Sequence, residues 1–209
     1  MPKILDELRE EHKNMARLLR LIDRHVKAFK IGEHPDYGLV KKIVDFCLKC
    51  PDQYHHPKED LVLDKLRTRS PESVSVIGEL DKEHQKLAAF GWRFSAALGN
   101  MIEDEQLPRD WFLGVANDFL EFYDRHMQME EVIFFLAAQR HLTEKDWREV
   151  ETEAQHKLLP MTGCKTIEDI KAGYREIIAW AEGVEERAAA STAQRHGDRF
   201  ELLKFDHKA

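Results

Sequence analysis

Four stretches of this chain carry apolar residues at alternating three- and four-residue spacing, and none shows the two-residue alternation of a strand. The first runs through Ile4, Leu8, Met15, Leu19, Ile22, Val26 and Phe29, and a breaker cluster, IGEHPDYG, follows at 31–38. The second, from about Leu39 to Leu66, carries Val44, Leu48, Val62 and Leu66 on one stripe. Ser70-Pro71-Glu72 reads as a helix start, with serine as N-cap and proline in the first turn. The third stretch then carries Ile77, Leu80, Leu87, Gly91, Phe94 and Leu98. After a polar break at 103–108 the fourth carries Phe112, Ala116, Phe119, Tyr123, Ile133 and Ala137. Helices of this length span roughly 40 Å at ~1.5 Å per residue. Short connections make consecutive helices antiparallel. The expectation is therefore all-α: an up-down-up-down four-helix bundle over residues 1–140. Residues 141–209 read as a C-terminal helical extension with a polar tail. Thr143 and Asp146 form a capping-box pattern opening a short helix that ends near Pro160. An amphipathic helix follows from about Ile167 to Ala189, and it either covers the bundle or makes a homodimer contact.

Composition narrows the functional classes. The 209 residues hold 39 Asp and Glu against 32 Lys and Arg, a formal net charge of −7. Such a balance excludes the basic footprint of a nucleic-acid binder. The longest charge-free apolar run, Val132 to Ala138, is far short of the ~20 residues of a membrane span. The N-terminus lacks the apolar block of a signal peptide, and three cysteines make no disulfide framework. These features predict a soluble, cytoplasmic protein.

What interrupts the apolar stripes is more informative. His12 fills the hole between Leu8 and Met15; His55 and Glu59 lie on the seam of the second helix; His84 lies between Leu80 and Leu87; His126 and Glu130 precede Ile133. The order is H…HxxxE…H…HxxxE, with 43 residues from His12 to His55 and 42 from His84 to His126. LREEHKNMA (8–16) and LDKEHQKLA (80–88) share Leu, Glu, His and Ala at matching places, so each half reads as one duplicated helix hairpin. Residues at i and i+4 project to the same side of a helix, which sets each Glu beside its His. Two carboxylates buried in an apolar core cost several kcal/mol each without compensation, and no Lys or Arg sits on the seam to supply it. A pair of divalent cations resolves the conflict, and the nitrogen/oxygen donor set suits iron, manganese or zinc.

The pattern resembles the hemerythrin family in its bacterial HHE cation-binding branch. The residues that carry the resemblance are His12 in EEHKNM, His55 and Glu59 in YHHPKED, His84 in KEHQKL, and His126 and Glu130 in RHMQMEE. The resemblance implies two non-haem iron ions, oxo- or hydroxo-bridged, inside the bundle. Glu59 and Glu130 would bridge them, and the four histidines would be terminal ligands. It also implies binding of oxygen or a related diatomic, or sensing of iron or redox state. A di-iron oxidoreductase acting on peroxide or nitric oxide, and a zinc-holding structural or interaction module, stand as alternatives. The oxygen carriers of the family have a fifth histidine one turn from another on the third helix, where this chain has Leu80 and Ala88. His56, Glu11, Glu83 and Tyr54, each adjacent to a stripe ligand, are the candidates to replace it.

Other features have simpler readings. Cys47 and Cys50 form a CxxC within a helical stretch, expected to be small buried hydrophobes or else a redox pair near the site. Pro57 removes a backbone donor beside His55 and should loosen that turn. His25, His34, His141, His156, His196 and His207 are expected at the surface. Phe46, Phe90, Phe94, Phe119, Phe122, Tyr123, Phe134 and Phe135 are expected in the core.

Overall fold

The computed structural model describes residues 2–103, 107–157, 172–180 and 183. The chain divides into two compact units, residues 1–170 and 171–209. The helix expected over 167–189 is described only at 172–180 and 183, which are helical; the polar tail with His196 and His207 lies outside the described residues.

In the first unit every described element is helical. Helix α1 (Lys3–Lys30) buries Leu8, His12, Met15, Leu19, Ile22 and Val26 at the expected spacing. It stops at Gly32, whose φ of 92° suits a residue without a Cβ. There the N–H of Glu33 donates to the carbonyl of Ala28 and that of Gly32 to the carbonyl of Phe29, a Schellman closure. Helix α2 (Tyr37–Cys50) starts at Asp36, whose carboxylate accepts the N–H of Leu39 at 2.9 Å.

The second helix is not continuous. A π-helical turn, π1 (Pro51–His55), separates α2 from α3 (His56–Arg69). Pro57 has no N–H to give to the preceding turn, so the ladder is broken where Pro57 was expected to loosen it. The third helix is also divided: α4 (Pro71–Ile77) ends at Gly78, with φ 82°, and α5 (Leu80–Ile102) resumes beyond it. Ser70 caps α4 by position only, since its hydroxyl bonds Glu72 and Ser73 rather than a helix N–H.

The fourth helix carries the most consequential difference. Helix α6 (Arg109–Met129) passes into π2 (Glu130–Phe134) and then α7 (Phe135–His141). The N–H of Phe135 bonds the carbonyl of Glu130, five residues back. The wider turn takes up one extra residue, so the buried stripe shifts by one after Glu130. Phe134 and Ala138 are fully buried, whereas Ile133, expected in the core, is 38% exposed. Without the π turn, Ile133 and Ala137 would occupy those core places.

Helices α1, α2, α5 and α6 close into a ring in which each packs against the next. Helix α8 (Glu144–Lys157), grouped by sequence with the extension, packs against α3 instead. Its Trp147 and Val150 join Leu5, Leu8, Val62, Leu66, Phe134 and Phe135 in one apolar cluster. The expected capping box forms: Thr143 N–H and hydroxyl both donate to Asp146, whose N–H returns a bond to the Thr143 hydroxyl. Arg69 clamps the same carboxylate with two bonds of 2.9 and 2.8 Å. Across the bundle, on the other side of His12, Phe94, Phe112, Phe119 and Tyr123 are fully buried. Phe46 and Phe90 are half-buried, less deep than expected.

Candidate metal centre

Between the two apolar ends, α1, the π1/α3 junction, α5 and the α6/π2 junction bring all six stripe-interrupting residues together. Glu59 and Glu130 have no exposed surface; His12, His55 and His126 are buried, and the His84 side chain is 11% exposed. Each carboxylate faces two ways. Glu59 Oε1 lies 3.2 Å from His55 Nε2 and 4.0 Å from His12 Nε2, while its Oε2 lies 3.5 Å from His84 Nε2. Glu130 Oε1 lies 3.0 Å from His126 Nε2 and 3.6 Å from His84 Nε2, while its Oε2 lies 3.3 Å from His12 Nε2. The first hairpin's two imidazoles therefore share Glu59 Oε1 and the second hairpin's two share Glu130 Oε1, while His12 also approaches the remaining oxygen of Glu130 and His84 that of Glu59.

The ring orientations say what these atoms are doing. His12 Nδ1 lies 3.0 Å from Glu131 Oε1, and His55 Nδ1 lies 2.8 Å from Glu11 Oε2. A carboxylate only accepts, so each Nδ1 carries its proton and donates. In the neutral rings both Nε2 atoms then present lone pairs, yet they face each other at 3.0 Å. Two lone pairs at that distance repel unless a proton or a cation lies between them. Glu131 is in turn held by Arg9 at 3.2 Å, and Glu11 by the ammonium of Lys58. Cation, carboxylate and imidazole thus form two parallel chains that fix tautomer and ring plane. Lys58 is a buried cation that the stripe reading missed, because it points away from the seam toward Glu11 rather than across to Glu59. Its nitrogen also sits 4.1 Å over the Tyr54 ring.

On the other side the support is absent. All four oxygens of Glu59 and Glu130, together with His84 Nε2 and His126 Nδ1, are buried without a hydrogen bond. Such atoms are expensive in an apolar interior. The electrostatics reflect the same strain. Burial opposes protonation of His55, but the charges of Glu59 and Glu11 outweigh it and lift the imidazole to about 10. His84 is lifted to about 9 against burial by Glu130 and Glu59. Burial and the charge of Glu130 push Glu59 up, yet His55 and His84 hold it near about 2. Glu130 is likewise held well below its ordinary range by His12, His126 and His84, against its burial. Positive charge is what this cluster lacks, and a cation pair supplies it without leaving oxygens orphaned.

Of the candidates for an extra ligand, Glu11 backs His55 instead, Glu83 turns to Lys86 at 3.6 Å, and Tyr54 packs on Lys58. His56 alone enters the centre. Two sets of side chains each place their ligand atoms within 4.8 Å of one another: His12, His55, Glu59 and Glu130, and His56, His84 and His126. Cys47 is buried and lines, with Leu48, His56, His84, Leu87, Ala88 and Phe119, a cavity of about 10 Å³ beside the centre. The side chain of Cys50 lies outside the described residues. Of the histidines expected at the surface, His34 and His156 are exposed, and His25 and His141 are half-buried.

No helix among the described residues is long and apolar enough to cross a membrane. No curated protein and no solved structure matches the chain. The profile of the Hemerythrin HHE cation binding domain does match, over residues 3–138, and so spans the four bundle helices and every residue of the centre. The chain belongs to the hemerythrin HHE cation-binding family.

Proposed function

We propose that this chain holds two iron ions and uses them to bind oxygen or a related diatomic, or to sense iron and redox state. His12 and His55 would serve one ion, His84 and His126 the other, and Glu59 and Glu130 would each give one oxygen to both. The observation that carries this reading is the 3.0 Å approach of His12 Nε2 to His55 Nε2 while both Nδ1 atoms already donate to carboxylates. Nitrogen and carboxylate donors in this ratio suit iron, manganese or zinc, and iron among them supplies one-electron redox chemistry and affinity for diatomic molecules. The protein supplies the rest. Glu11 and Glu131 keep the imidazole lone pairs aimed inward, and the apolar ends of the bundle exclude bulk water. The small cavity against His84 leaves room for one water-sized guest rather than an organic substrate.

Metal analysis of protein prepared without air tests the reading. Two irons per chain are expected, with a near-ultraviolet charge-transfer band that grows on exposure to oxygen and disappears on reduction. Glu59→Ala and Glu130→Ala should each abolish binding of the pair, while His141→Ala keeps it. Stoichiometric zinc, or fully folded protein purified and reconstituted without any metal uptake, overturns the proposal. Two irons retained after either glutamate change overturns the sharing of the carboxylates.

A further inference from the structure

The metal centre makes no use of the CLKC motif at 47–50. Cys47 and Cys50 occupy the last turn of α2, which ends at Cys50. Residues at i and i+3 share a helix face. At α-helical rise their Cα atoms lie ~5 Å apart, inside the roughly 4.4–6.8 Å that a disulfide spans. Pro51 follows at once and has no N–H to give to the carbonyl of Cys47, so the α-helical ladder that would brace this turn stops there. The pair therefore sits where the backbone can adjust to a bond between two sulfurs.

A buried thiol that nothing can reach is inert. Cys47 is buried, yet it lines the cavity of about 10 Å³ that also touches His84 and Ala88. Ala88 is half-buried and the His84 side chain is 11% exposed, so the cavity wall reaches the surface along α5. Leu48, Leu87 and Phe119 make the remainder of that wall largely apolar. The space admits one guest of about the size of a water molecule. It excludes bulky thiols and disulfides by volume, and charged oxidants by the cost of desolvating them. Hydrogen peroxide, small and uncharged, is the oxidant that fits.

We propose that Cys47 and Cys50 form a dithiol that hydrogen peroxide oxidises to a disulfide. The Cys47 sulfur attacks one peroxide oxygen, the O–O bond breaks, and the thiol proton leaves with the departing oxygen as water, giving a sulfenic acid. The Cys50 sulfur then attacks that sulfur, the S–S bond forms, and the displaced hydroxide takes the second thiol proton as water. Two electrons pass from the sulfurs to the peroxide. No step needs a cation, so this inference stands apart from the two-iron reading.

Peptide mapping of the full chain tests it. Trypsin cuts after Lys49, between the two cysteines, so their disulfide joins peptides 43–49 and 50–58 into one mass. Folded wild type pulsed with hydrogen peroxide and blocked with N-ethylmaleimide should give that mass, and dithiothreitol should remove it. Cys50→Ser should stop at the sulfenic acid, which dimedone labels on Cys47. Ala88→Leu, which fills the cavity, should slow the oxidation about tenfold or more, with the difference gone in urea. If circular dichroism shows that variant to be unfolded, Ala88→Val takes its place. Folded wild type in which Cys47 stays reduced, or joins Cys164 instead, overturns the proposal. So does folded Cys50→Ser without a label on Cys47, and so does a folded Ala88 variant that oxidises as fast as wild type.

Discussion

Removing Glu11 separates two jobs that this one carboxylate performs. It accepts from His55 Nδ1 at 2.8 Å, and it is the main partner of the Lys58 ammonium, whose side chain is 3% exposed. Without it, Lys58 keeps only Glu7 at 3.6 Å, itself 43% exposed, and the face of Tyr54. Stranding a buried charge costs about 3–5 kcal/mol. The partial rescue by Glu7 places Glu11→Ala near the lower bound, about 3 kcal/mol. The lost bond to His55 costs a further ~10–100-fold in metal affinity, since the ring is no longer held with its lone pair inward. Glu11→Ala/Lys58→Met distinguishes the two. Replacing both partners of a buried pair by apolar groups is nearly neutral, so apo-protein stability should return to within about 1 kcal/mol of wild type. Metal affinity should not return. Urea unfolding of apo-protein gives the first quantity, and competition between protein and a chelator for manganese(II) gives the second. Recovery of affinity in the double variant would refute the claim that the Glu11–His55 bond aims the imidazole. A single variant as stable as wild type would refute the dependence of Lys58 on Glu11.

The remaining predictions concern pH, a cap and a helix crossing. His55 and His84 are raised from their ordinary 6.5 to about 10 and about 9, so in the apo-protein their contribution to stability is complete below about pH 6.5 and is lost as pH rises through 9 to 10. Cations displace those protons, so metal uptake at pH 7 should release protons and tighten with pH up to that range; calorimetry in buffers of different ionisation enthalpy measures the release, and none would refute it. Asp146 is held below its ordinary range by Arg69 foremost and then by Thr143, against burial, so its contribution is present above about pH 4 and fades as pH falls through its lowered value. Asp146→Ala should cost about 1–2 kcal/mol in thermal unfolding at pH 7, the scale of a lost helix cap, with a smaller difference near pH 2. At Gly91 a Cβ would sit 2.6 Å from Leu48 Cδ2 and 3.3 Å from Phe119 Cε2. Gly91→Val should therefore lower stability by roughly 1–3 kcal/mol through overpacking of α2 on α5, and an unchanged urea midpoint would refute the close crossing.

What the sequence reveals and what it hides differ by one physical cause. Periodicity locates the helices because burial selects residues every three or four positions, and it locates His12, Glu59 and Glu130 because polar groups in such a stripe need an explanation. Those inferences assume one rotation per residue throughout, and two turns of this chain violate it. At π1 the prolines at 51 and 57 bracket the deviation, and Pro57 alone predicts a loosened turn there. At π2, within Glu130–Phe134, there is neither proline nor glycine, and no local residue marks the extra position. The deviation shows only in the burial itself, which passes from the register of Ile133 to that of Phe134 and Ala138. The same violation hides His56 and Lys58. Counted at ~100° per residue, they leave the seam on either side of Pro57; counted through a π turn, one enters the centre and the other meets Glu11. Both π turns touch a residue of the buried histidine–glutamate cluster, π1 ending on His55 and π2 beginning at Glu130, so the departures from α geometry fall where the side chains of that cluster are aimed.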